Sequence, residues 1–173
     1  MMQVRLACLL LIMGAVLGGV AARGDLIFPA EYDFSLLHPE LDSPRQDAAR
    51  TAQSNATNYA REHQVPLPVA HFRLASQIAN SSQAAQRVGE IVFHLRQSLK
   101  ANYKVVPCHI ALGQILLVAG DLSGAERHLL AVRESRPDLR LLLARARLGL
   151  GKTKEARVDA EAAKDSLWTQ MQT

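Results

Sequence analysis

Apolar side chains recur along this chain at helical rather than strand spacing. After Ser43, the residues Ala48, Ala52, Ala56, Tyr59 and Ala60 stand three or four positions apart, which places them on one face of a helix. Ser43 is a capping residue, Pro44 suits the first helical position, and Gln46 completes a capping box. This first helix is expected to run to about His63. Val65-Pro66-Leu67-Pro68 should end it, because each proline pushes its predecessor out of helical geometry. From Val69 the same spacing continues in pairs of helices. Phe72, Leu74, Ala75 and Ile78 precede a turn at Asn80-Ser81-Ser82, and Val88, Ile91, Val92, Leu95 and Leu99 follow it, with Asn102-Tyr103 closing the unit.

A second pair spans Val106–Pro137. Ile110 to Ala119 form its first helix, Gly120 can take the left-handed conformation that stops it, Asp121 can cap the next, and Leu129 and Val132 face the core. A third pair runs from Leu139 to about Trp168. Its first helix carries Leu141, Leu142, Leu143, Ala144 and Leu148, Gly151 makes the turn, Thr153 is the expected cap, and Ala156, Ala160 and Ala163 mark the second helix. The fold class that follows is all-α, with stacked antiparallel helix pairs. Each pair has an apolar face it cannot bury alone, so neighbours must stack.

Within the second pair, Leu112-Gly113-x-x-Leu116, Gly120-Asp121, Ala125, Leu129 and Pro137 resemble the helix–turn–helix pattern of the tetratricopeptide-repeat family. Gly151 and Ala156 repeat the turn and the small residue in the third pair, at a spacing slightly short of that family's period of about 34 residues. The likeness is closest over Val106–Ala163, more degenerate over Val69–Tyr103, and does not extend to Arg23–Pro68. Overall the chain is similar to short exported bacterial members of the family. The resemblance implies a right-handed superhelix of about three repeats, whose concave face binds a protein or peptide. Carried onto matching positions, that face would show Phe72 and Ser76, then Ile110, Gln114 and Leu117, then Leu141, Arg145 and Leu148. Gln114 can bond a backbone amide and Arg145 a carboxylate. The family's charged-tail clamp needs lysine and asparagine where this chain holds Phe72 and Ser76, so that version is set aside. The same positions could instead pack against the chain's own N-terminal arm or helix.

The first 22 residues differ from the rest. Arg5 is their only charge, Leu6–Ala22 is an unbroken apolar run, and Val20-Ala21-Ala22 offers small residues for cleavage. This reads as a secretory signal peptide; retention as a membrane anchor is the alternative, although the run is short for a span and carries Gly14, Gly18 and Gly19. The expected localisation is therefore periplasmic or otherwise extracytoplasmic, either free or anchored in the inner membrane. Residues 23–68 form an irregular arm followed by one helix, and 69–173 the repeat-like domain. The arm, Arg23–Asp42, is rich in apolar residues such as Leu26, Ile27, Phe28, Tyr32 and Phe34, and is expected to lie extended against the helices.

Composition agrees with helices that approach closely: 49% of residues are hydrophobic but only 5% aromatic. The formal net charge of +4 falls by one if the leader is removed, too mild and too interleaved for nucleic acid. Glu126, Glu134, Asp138, Glu155, Asp159 and Glu161 alternate with basic residues, a pattern expected of a solvated face. Of two cysteines, Cys8 belongs to the leader, which leaves Cys108 as a small helix residue without an internal disulfide partner. The six histidines show no pair at i, i+4, and there is no Cys-x-x-Cys, nucleophile elbow or phosphate loop. No catalytic residue, metal or cofactor is expected. The reading is a non-enzymatic adaptor or scaffold acting outside the cytoplasm, with a membrane-anchored assembly subunit as the alternative and a metal carrier or enzyme behind both. Trp168, the sole tryptophan, could cap the last helix or anchor a partner or a second copy.

Overall fold

The structure, a computed structural model, describes residues 43–134 and 136–171; Leu6–Ala22, the Arg23–Asp42 arm and the Trp168 side chain lie outside it. All regular structure among the described residues is helical. Among the described residues seven helices follow one another: α1 (Ser43–Glu62), α2 (Leu67–Ala79), α3 (Val88–Lys100), α4 (Val105–Ala119), α5 (Leu122–Val132), α6 (Arg140–Gly149) and α7 (Thr153–Met171). A 3₁₀ turn, Pro137–Leu139, leads into α6. No helix among the described residues is long and apolar enough to cross a membrane.

Helix boundaries follow from local chemistry. Three helices close with the same motif, in which a left-handed residue lets two backbone N–H groups reach back to carbonyls at the helix end. Gln64 (φ 51°) closes α1, with Val65 N donating to Ala60 O at 3.0 Å. Asn102 (φ 54°) closes α3, with Tyr103 N donating to Ser98 O at 3.1 Å. Gly151 (φ 76°) closes α6, with Lys152 N donating to Arg147 O at 2.9 Å. Gly120 (φ 83°) ends α4, and the Asp121 carboxylate caps α5 by accepting from Gly124 N at 2.9 Å.

Some boundaries differ from the sequence expectation, α4 among them: it begins at Val105, ahead of the expected Ile110. Pro68 does not break a helix but occupies the first turn of α2, where its missing N–H would have had no intrahelical partner. Four residues, His63 to Pro66, separate α1 from α2. Thr153 is the first residue inside α7; the capping position falls to Lys152, whose carbonyl accepts from Ala156 N at 3.0 Å.

The described residues fall into two compact units, one ending at Ala111 and one starting at Leu112. In the first, α1 packs on α2 and α3, and α2 on α3. The α1 face is made of alanines: Ala52 and Ala56 are buried, and Ala48 and Ala49 join Ala52 around Phe93. Ala70, Ala75, Ile78, Val88, Ile91, Val92 and Leu95 complete this core. In the second unit α6 packs against both α5 and α7. Small residues again set the spacing. A Cβ placed on Gly113 would come within 2.7 Å of Leu129 Cγ, and one on Gly149 within 2.6 Å of Leu122 Cδ1. One turn before Leu129, Ala125 is fully buried.

Candidate functional site

Among the described residues, helix α6 carries an exposed apolar stripe. Leu141 is 47% exposed and Leu148 61% exposed, with exposed Arg145 between them. Positions i, i+4 and i+7 share one helix face, and the opposite face, Leu143 and Ala146, is buried. The stripe therefore combines two branched aliphatic side chains with a guanidinium that can pair bidentately with a carboxylate.

A charge network fixes α6 in place. Arg147 is 13% exposed and donates from Nη1 to Asp159 Oδ2 on α7 at 2.7 Å and from Nε to Glu126 Oε1 on α5 at 3.1 Å. Lys152 Nζ donates to the other Glu126 oxygen at 2.6 Å. Lys152 and then Arg147 hold the Glu126 carboxyl below the usual carboxylate range. Glu126 and Asp159 are thus buried network members, not parts of a solvated face. Charges from three helices converge here, so each is matched by partners far away in sequence rather than by helical neighbours.

The remaining groove candidates fall elsewhere. In the first unit Phe72 is half-buried, edge-on to Tyr103 at 5.9 Å, and Ser76 turns its hydroxyl back to Phe72 O at 3.0 Å. Ile110 is buried. In the second unit Leu117 is buried and Gln114 half-buried, with its Oε1 lacking a hydrogen-bond partner. Among the family-pattern positions, Leu112, Gly113, Ala125, Leu129 and Ala156 are buried, while Gly120 and Gly151 occupy the left-handed turns.

A cluster that sequence reasoning missed lies in the first unit. His71 on α2 and His94 on α3 meet with their Nδ1 atoms 2.8 Å apart, and they are only 2% and 0% exposed. Glu90 Oε1 stands 3.7 Å from His94 Nε2, and Arg87 clasps the Glu90 carboxylate through two bonds of 2.8 Å. Phe93 packs edge-on against both rings. The only local signals were Arg87-x-x-Glu90 and Glu90-x-x-x-His94, at i, i+3 and i, i+4; His71 joins through tertiary packing alone. No group of three or more His, Cys, Asp or Glu among the described residues could hold a metal ion. No protein-family model matches the chain, and neither a curated protein nor a solved structure matches it.

Proposed function

We propose that this protein is a non-enzymatic interaction module that receives a partner segment on the exposed face of α6. The observation that carries the reading is the Leu141–Arg145–Leu148 stripe: two large apolar side chains are left in water on a helix whose other face is buried and whose C-terminal turn is tied down by the Arg147 ion pairs. Exposed apolar surface with a charged group at its centre suits a partner helix or extended segment bearing apolar anchors and a carboxylate. The Leu112-Gly113, Gly120-Asp121, Ala125 and Leu129 pattern supports a tetratricopeptide-type repeat arrangement, and the apolar leader with its small-residue cleavage site supports export. In this reading the chain is an extracytoplasmic adaptor or scaffold.

Crosslinking and pull-down from membrane and soluble fractions, with wild type beside Leu141→Asp/Leu148→Asp, tests it. Both substituted positions are exposed, so helicity and melting should be retained. A partner captured by wild type and lost in the double variant is expected. Capture that persists unchanged would move the interaction off this face and overturn the assignment.

A further inference from the structure

We propose that the buried His71–His94 contact is a pH-responsive latch, holding α2 on α3 at neutral pH and releasing it on acidification. The geometry sets the rule. With Nδ1 facing Nδ1 at 2.8 Å, one nitrogen must donate and the other accept. With one of the two facing nitrogens protonated, the contact keeps one donor and one acceptor, and the Glu90 carboxylate lies 3.7 Å from His94 Nε2. A second proton, on His71, turns both nitrogens into donors and sets two N–H groups against each other in a buried seam. The contact then has no hydrogen bond to keep and a repulsion to relieve, and opening to water does both.

The neighbouring groups leave this rule intact. On α3, Glu90 is held down at about 2, by His94 first and also by Arg87, so it stays ionised across mildly acidic pH. On α2, Arg73 is exposed. From α1 the residues around Phe93 are alanines; Asp47, Arg50, Arg61, Glu62 and His63 are exposed, Arg45 is half-buried, and half-buried Tyr59 meets His63 and Gln77. In the α4 segment of this unit, burial lowers the pKa of His109 and pushes the Cys108 thiol up to about 11. His71 itself is pushed down to about 4, by burial first and then by His94. A histidine depressed in the closed form favours opening as pH falls below its ordinary value of about 6.5. One such proton raises the opening constant about twentyfold between pH 7 and pH 5.

The test is amide hydrogen exchange on the full chain at pH 7 and pH 5, corrected for the intrinsic pH dependence of exchange, together with an imidazole NMR titration. Exchange in α2 and α3 should rise about twentyfold relative to α6 and α7, and His71 should titrate well below the ordinary histidine range. His71→Asn, which keeps a polar atom near the Nδ1 position but cannot take up the proton, should flatten the response. Equal exchange at the two pH values, or a His71 midpoint near 6.5, would overturn the latch. Both results come from the wild-type chain, so they stand even if the variant folds poorly.

Discussion

Replacing Arg147 by methionine asks whether the three-helix charge network is a buried structure or a surface ornament. Methionine keeps much of the aliphatic stem, so the substitution removes charge more than volume. Lys152 remains 2.6 Å from Glu126 and still neutralises it. Asp159 is left differently: its side chain is 3% exposed and its 2.7 Å partner is gone. Leaving one member of a buried ion pair unpaired costs about 3–5 kcal/mol. At about 2–4 °C per kcal/mol for a chain of this size, Arg147→Met should lower the melting temperature by about 6–20 °C. Thermal unfolding followed by far-ultraviolet circular dichroism measures it. The double variant Arg147→Met/Asp159→Leu places an apolar side chain of similar shape where the orphaned carboxylate was, and it should recover at least half of the loss, since a buried pair and a packed apolar replacement are often nearly equivalent. A single-variant loss below about 1 kcal/mol, the range of exposed ion pairs, would refute the argument. So would a double variant whose loss equals the sum of the two singles, because no coupling would then exist.

Further expectations can be checked by the same melting assay. Ala125→Leu should cost about 1–3 kcal/mol by overpacking a site with no free surface; an unchanged melt would mean that α5 does not press closely there. Gln64→Gly should stabilise the chain by up to about 1 kcal/mol, because glycine carries no steric penalty in the left-handed conformation that closes α1; a loss would show that the Gln64 side chain contributes more than its backbone strain removes. Leu141→Asp/Leu148→Asp should melt within about 0.5 kcal/mol of wild type, whereas buried Leu117→Asp should fall well below it.

What could be read from the sequence was local. Gly120-Asp121 announces both a left-handed stop and a cap, and each works within a few residues of its own backbone. The alanine and leucine spacing likewise declares helices, since burial of one face needs only the helical period. Pro68 was misread because proline disrupts a helix only where an N–H bond is needed, and the first turn needs none. Thr153 is a good capping residue displaced by one position, because Lys152 already carries the bonds that close α6. The two buried clusters were harder to read. His71 and His94 are joined by tertiary register, and Arg147 finds Glu126 and Asp159 on two other helices. Alternating charges look the same on a wet face and in a buried crossing; only the placement of the neighbouring helices separates them. For the α6 stripe, Leu141, Leu142, Leu143 and Leu148 look alike in sequence, and packing decides which are covered.

Lys152 draws several of these threads into a single joint. Its N–H closes α6, its carbonyl starts α7, and its ammonium grips α5 through Glu126. The N–H bond and the ammonium grip both depend on the number of residues between Arg147 and Lys152. One residue inserted there would carry the ammonium away from Glu126 and break the paired N–H bonds at Gly151 together. The connection between α2 and α3 is looser, with Ser82, Gln83 and Gln86 exposed between anchored ends. A spectroscopic label or short tag therefore belongs beside Ser82-Gln83, while the length of the α6–α7 connection is as fixed a property of this protein as its core.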